Sequence, residues 1–250
     1  MDKKVAKKTP SKKRKLITIL VIIVIVIAVV IVCVRAFKNR EAVAFSEHLD
    51  DVAATINGES LLYRDLSFYV LYEEMQGEKE ARVYNPESSK DWWNSYVNGK
   101  FVSVTARETA MDMAVHDRIM YDLAKKDNIT LTSEEENQVA MTQSDFWEDL
   151  FDEQKKNLPV SKEEINEQIK RIAIGEKYQN KLAEEKGVNS FEYNYDGYLY
   201  KQMLDSDYKV KIDDNYDKLV FGEITIHHHK VNFINGLTDE KKEEMENRKK

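Results

Sequence analysis

Three consecutive histidines at positions 227–229 are the residues whose types and spacing best suit chemistry. Successive side chains of a strand point to opposite faces, so His227 and His229 would share a face and could hold a metal ion. A third ligand would have to come from another element, with Glu223 or His116 as candidates. Because two ligands on one face rarely make a metal site, the cluster favours a polar strand that binds no metal or other cofactor.

Signatures of catalysis are absent from the sequence, which contains no G-x-S-x-G, H-E-x-x-H, phosphate-loop or G-x-G-x-x-G motif. Neighbouring acids at positions 73–74 and 213–214 diverge on a helix or strand, which indicates solvated surface and not acid–base pairs. The acids at 163–164 suit the first turn of a helix. The sequence therefore predicts a protein that is not an enzyme, with an isomerase or a metal enzyme as the least favoured reading.

An uncharged segment, residues 16–34, contains fourteen Ile or Val among its nineteen residues. As a helix rising about 1.5 Å per residue it spans roughly 28 Å, close to the hydrocarbon core of a bilayer. Residues 1–15 carry eight Lys or Arg and one acid, a denser positive charge than residues 35–40 carry. The positive-inside bias predicts a single-pass helix in the cell membrane, with a cytoplasmic N-terminus and residues 41–250 outside.

A cleaved signal peptide is the alternative to this anchor. Residues 42–44 read Ala-Val-Ala, the A-x-A pattern at which a signal peptidase cuts. However, the apolar segment is longer than the ~7–15 residues usual in a signal peptide. The length favours an uncleaved anchor.

The predicted exported part is acidic. Beyond residue 40 the chain holds 27 Lys or Arg and 44 Asp or Glu, a net charge of −17, which argues against nucleic acid as a partner. The one cysteine, Cys33, lies within the predicted membrane segment, so the exported part has no disulfide and depends on packing for stability. The composition is typical of a mostly helical protein of a bacterial envelope.

A short hairpin is predicted where the exported part begins. Residues Val52–Ile56 and Ser60–Leu62 suit two strands, and Asn57-Gly58 between them is a strong hairpin signal. Neither strand is long enough to be stable alone, so we expect them to pair with a C-terminal strand near residues 208–226. Within that region, 208–212 and 223–226 alternate like strands.

Helices are predicted over most of the remaining chain. A period of three to four residues runs from Tyr63 to about residue 80, and the longest helical pattern covers 101–126. A shorter helix is expected from Asp91, ending at Asn98-Gly99. Capping-box patterns predict two further helices, one starting near Ser133 and one running from Ser161 to about residue 185.

The order of these elements resembles the SurA N-terminal-like domain, the chaperone module of SurA, PrsA and related foldases. The opening VAATINGESLLYRDL at residues 52–66 is similar to the strand, Asn-Gly turn, strand and helix that begin those domains. Residues 110–136 resemble the family's long helix and the start of the next one, and 165–182 resemble its returning helix. The resemblance extends over about 50–185 and more weakly to 226.

The resemblance implies an α+β fold that is mainly helical, with a small sheet, and a protein that binds unfolded or partly folded secreted proteins. The parvulin-type isomerase domain usual in such foldases is not recognisable, so the resemblance implies holding without catalysis. The alternative is a dedicated scaffold subunit of one envelope complex, built on the same fold. The expected organisation is a basic stub (1–15), a transmembrane helix (16–34), a stalk (35–51), a chaperone domain (52–226), and a C-terminal strand with a charged helix (227–250).

Candidate client contacts are Met and aromatic side chains, because such residues adapt to many partner sequences. Adjacent tryptophans cannot both face one side of a helix, so one of the pair at 92–93 is expected at the surface. The set predicted to contact clients comprises Trp92, Trp93, Tyr96, Phe101, Met111 and Met120. The alternative for each of them singly, and the more common one for such residues, is a place in the core.

Overall fold

The computed structural model describes residues 29–30 and 42–226. The chain divides into two units, residues 1–42 and residues 43–250. Val29 and Val30, in the first unit, are helical; the rest of the predicted segment 16–34 lies outside the described residues. Among the helices that are described, none combines the length and apolar character needed to cross a bilayer.

A three-stranded antiparallel sheet joins residues 52–62 with residues 210–212. Strands β1 (Val52–Ile56) and β2 (Glu59–Leu62) form a hairpin, and Asn57 and Gly58 have φ angles of 50° and 90°, the left-handed pair that a tight hairpin requires. The third strand, β3 (Val210–Ile212), pairs with β1 on its other side. The predicted pairing of the N-terminal hairpin with a C-terminal strand is confirmed.

Seven α-helices lie between these strands in the described chain, which is therefore mainly helical with a small sheet, as predicted. In chain order they are α1 (Ser67–Tyr84), α2 (Ser89–Trp93), α3 (Val102–Lys126), α4 (Ser133–Asp149), α5 (Asp152–Lys156), α6 (Lys162–Lys186) and α7 (Tyr198–Asp207). Four single 3₁₀ turns complete the described part, at Phe45–Glu47, Tyr63–Leu66, Ser190–Tyr193 and Tyr216–Lys218.

Both predicted capping boxes are present. At the start of α4, the Thr132 hydroxyl accepts from the Glu135 N–H at 3.3 Å, and the Glu135 carboxylate accepts from the Thr132 N–H at 2.6 Å. Ser161 and Glu164 repeat the arrangement at the start of α6, which ends at Gly187 with φ 65°. These reciprocal bonds satisfy backbone N–H groups that a helix start leaves free, which explains why the boundaries could be read from the sequence.

The core has two parts. The larger surrounds α3, whose small and apolar residues pack against α1, α6 and the sheet; Gly175 of α6 lies so close to α3 that a Cβ there would sit 3.2 Å from the Cβ of Met120. The smaller part joins α1 to α4 and α6. Its buried members are Leu71, Met75, Val139, Phe146, Leu150, Ile165 and Ile169. Helix α4 is therefore held by a narrower apolar contact than α3 is.

Two predictions about local structure were wrong. Asn98-Gly99 does not end a helix, because α2 ends at Trp93. The pair instead forms the turn of a second hairpin, in which Tyr96–Val97 pairs with Lys100–Phe101. Both turn residues have positive φ angles, the conformation that Asn-Gly favours between strands. Residues 223–225 form bends instead of the predicted strand, because the backbone N–H groups of Ile224 and Thr225 donate to the side chain of Glu74.

Candidate functional site

An open cleft of about 490 Å³ lies between α1, α4 and α6. Its walls are mostly apolar, with an aromatic side from α1, where Phe68 lies 6.1 Å from Tyr72 and 5.1 Å from Phe146 of α4, measured between ring centroids. The apolar lining comprises Phe68, Tyr72, Met75, Leu131, Val139, Phe146, Ile169, Ile172 and Ala173. Such a lining can bury apolar side chains of a ligand.

The spacing of these residues explains the cleft. On α1, positions 68, 72 and 75 recur at the helical period and share one face, as do 139, 142 and 146 on α4. Helix α6 supplies the floor through Ile169, Ile172 and Ala173. Because α4 touches the other helices through only part of this apolar surface, a groove is left between them.

Acidic residues line the rim of the cleft. Glu135 is bonded to Lys177 at 2.6 Å, and this bond lowers the pKa of Glu135 to about 2. Asp149 is paired with Lys79 at 3.0 Å. The other two acids, Asp145 and Glu176, have no hydrogen-bond or ion-pair partner among the described residues. No Lys or Arg belongs to the lining formed by the described chain.

A buried carboxylate holds residues 222–225 against α1. The side chain of Glu74 is fully buried and accepts hydrogen bonds from the backbone N–H groups of Gly222, Ile224 and Thr225 at 2.6, 2.9 and 2.6 Å. We call residues 221–226 the anchored segment. Its fixation corrects the prediction that the acids at 73–74 are solvated, because Glu74 is enclosed by chain from the far end of the sequence.

Further polar contacts fix the anchored segment. Gln154 of α5 donates through Nε2 to the Leu71 carbonyl at 3.0 Å and to the Thr225 hydroxyl at 3.2 Å. Asn157 donates to the Thr225 carbonyl at 3.3 Å. Burial raises the pKa of Glu74, while its hydrogen bonds to the segment act in the opposite direction. The segment thus connects α1 with α5 through satisfied buried polar groups.

The neighbouring Glu73 is half-buried, and this burial, with a smaller effect from the charge of Glu80, raises its pKa from 4.5 to about 7. The native state therefore holds this proton more tightly than the unfolded chain does, and stability falls as the pH rises from 4.5 to about 7. We expect Glu73→Gln to raise the free energy of unfolding by about 1–3 kcal/mol near pH 8 and to leave it unchanged near pH 4.

Urea unfolding at the two pH values checks this prediction. Glu184→Gln is the matched control, because Glu184 is exposed at the end of α6. An equal gain for Glu73→Gln at both pH values would mean that the charge of Glu73 is not the cause.

The six residues predicted to contact clients are divided between core and surface, and none lines the cleft. Trp93, Met111 and Met120 are at most 1% exposed, so in this structure they belong to the core. Burial of Trp93 follows from the glycines that flank it, since a Cβ at Gly77 or Gly222 would overlap its ring.

The other three predicted contacts reach the surface. Trp92 is half-buried with its ring 5.4 Å from that of Tyr84. Tyr96 and Phe101 are 67% and 49% exposed and pack edge to face across the second hairpin. Trp92 is thus the member of the tryptophan pair at the surface, and contact of these three with clients stays a prediction.

A metal site has no support within residues 42–226, where no group of three or more His, Cys, Asp or Glu side chains is placed to hold an ion. His116, a predicted third ligand, has both ring nitrogens engaged, Nδ1 with Asp117 at 2.7 Å and Nε2 with the Tyr193 carbonyl at 2.8 Å. His227 and His229 lie outside the described residues.

Comparison with known proteins gives one informative similarity. The foldase protein PrsA of Caldanaerobacter subterraneus subsp. tengcongensis is 26% identical to this chain over 178 residues, which cover 69% of this chain and 53% of that protein. The chain thus spans about half the length of the curated relative it matches. No family model and no solved structure matches the chain. The similarity supports a PrsA-like family and no finer assignment.

Proposed function

We propose that this protein is a chaperone that holds unfolded or partly folded exported proteins by burying their apolar side chains in the cleft between α1, α4 and α6. The observation that carries this proposal is the open, mostly apolar lining of the cleft. Aromatic and Met side chains such as Phe68, Tyr72 and Met75 adapt to partners of different sequence. The distant similarity to a foldase supports the same general activity.

The site of action in this proposal is the outer face of the cell membrane. The sequence supports this location. Residues 16–34 suit a membrane anchor, the stretch before them is more basic than the stretch after them, and the chain beyond is acidic. We propose holding without isomerisation, because the resemblance covers the chaperone module.

A dedicated interaction subunit is the second candidate. The exposed aromatic pair on the second hairpin, Tyr96 and Phe101, favours it, since aromatic side chains are enriched in protein interfaces. In that case one folded partner would bind, and unrelated unfolded proteins would not.

Filling the cleft tests the holding activity. The full chain, kept in neutral lipid nanodiscs, is added to an unrelated protein diluted from denaturant, and aggregation is followed by light scattering. Ala173 lies in the cleft floor, so Ala173→Phe occupies space that a client side chain needs. We expect this variant to lose most of the parent's suppression of aggregation, about ten-fold by concentration, which corresponds to ~1.4 kcal/mol of binding.

Ala140→Phe is the matched control, because Ala140 is exposed on α4 and does not line the cleft. It should suppress aggregation as the parent does. If Ala173→Phe and Ala140→Phe suppress aggregation equally well, the cleft is not the holding site. If the parent itself does not suppress aggregation, the dedicated interaction subunit is favoured. A proline-peptide isomerisation assay on the parent checks the absence of catalysis.

A further inference from the structure

The charged side chains that line the cleft are all acidic. Four carboxylates reach its lining, three from α4 and one from α6, and no cationic side chain of the described chain joins them there. Carboxylates set around an apolar groove produce a negative potential that is screened less than on an open surface, because the low-dielectric walls focus the field. A ligand that enters meets apolar walls and acidic edges together.

Two of the four acids are available to a ligand. Glu135 and Asp149 already have lysine partners, at 2.6 and 3.0 Å. Asp145 and Glu176 have none among the described residues, and both are exposed. Asp145 precedes the cleft residue Phe146 on α4, and Glu176 lies one turn beyond Ala173 on α6, so they border the apolar walls from two helices.

We propose that the cleft selects apolar polypeptide segments that carry Lys or Arg beside their apolar side chains, with Asp145 and Glu176 as the residues that read the positive charge. This inference rests on the proposed holding function and adds the class of client. Each exposed ion pair contributes little alone, but two of them separate basic from acidic segments by about five-fold or more in affinity. Complementary charge also favours rapid encounter.

Three peptides that share one apolar sequence test the selection. One is flanked by Lys, one by Gln and one by Glu, and each carries the same fluorophore for anisotropy titration against the full chain in neutral nanodiscs. We expect the Lys peptide to bind about five-fold or more tighter than the Glu peptide at low salt, with the Gln peptide between them. Added salt should bring the three affinities together.

A double substitution locates the effect. Asp145→Asn with Glu176→Gln removes two charges and keeps the shape of the side chains, so the Gln peptide should bind within about two-fold of the parent while the ratio of Lys to Glu peptide falls to about two or less. The control, Glu184→Gln with Asp205→Asn, removes two charges from exposed positions outside the cleft. It should leave the ratio unchanged.

The outcomes separate this inference from the proposed function. Equal binding of all three peptides to the parent overturns the selection and leaves the holding activity in place. A ratio lowered equally by both double variants also overturns it, because the net charge of the chain would then be the cause. If no peptide binds the parent, the proposed function fails as well, and the result favours a folded partner or a second copy of the chain as the occupant of the cleft.

Discussion

Glu74→Ala is expected to lower the free energy of unfolding by about 3 kcal/mol or more, since a buried N–H left without a partner costs about 1–3 kcal/mol and three lose theirs. The loss is limited by the favourable removal of a buried carboxylate. Glu74→Gln keeps one acceptor oxygen and should lose about half as much. Urea unfolding of the full chain in nanodiscs, followed by tryptophan fluorescence, measures all three proteins.

The control for this prediction is Glu80→Ala, an exposed position on the same helix, which should change stability by about 0.5 kcal/mol or less. Similar losses for the two alanine variants would show that the anchored segment does not depend on the Glu74 carboxylate. A second readout is the hydrogen-exchange rate of the Thr225 N–H, which Glu74→Ala should accelerate.

Trp93→Ala is the second change with a large expected effect. The Trp93 ring is 1% exposed and fills the space between Gly77 of α1 and Gly222 of the anchored segment, so truncation leaves a cavity and costs about 3–5 kcal/mol. Its Nε1 also donates to the Glu78 carboxylate at 3.5 Å. Thermal unfolding measured by circular dichroism reports the loss.

Trp92→Ala serves as the comparison, because Trp92 is half-buried and its ring contacts Tyr84 at the surface. It should cost about 1 kcal/mol. Below the unfolding temperature both variants should still suppress aggregation if the cleft is the holding site, since neither residue lines it. A Trp92→Ala variant that remains folded and stops holding clients would instead place client contact at α2.

Local signals in the sequence predicted much of the fold. The capping residues Thr132 and Ser161 make bonds within their own first turns, so the helix starts depend on neighbouring residues alone. Asn57-Gly58 predicted a hairpin for the same reason. The same signal at Asn98-Gly99 also gives a hairpin, because the helix before it ends at Trp93.

The cleft and the buried carboxylate could not be predicted in this way. Glu74 is part of a charged helix and looks solvated until residues 222–225 cover it, and Gly222 is 148 positions away in the chain. The helical spacing of apolar residues on α1 and α4 could be predicted. That part of each apolar face is not covered by another helix could not. Which part is left open depends on how the helices pack, which no single helix encodes.

The contacts of residues 210–226 with β1 and α1 impose an order on folding. Strand β1 pairs with β3, and Glu74 accepts hydrogen bonds from the anchored segment. Neither set of bonds can form until about 150 further residues have emerged during synthesis or export. Until then one edge of β1 is unpaired and the Glu74 carboxylate lacks its hydrogen-bond donors, so both are exposed. Contacts between residues so distant in sequence also form slowly. A protein proposed to hold unfinished chains therefore passes through the same vulnerable state itself, and residues 210–226 supply the contacts that end it.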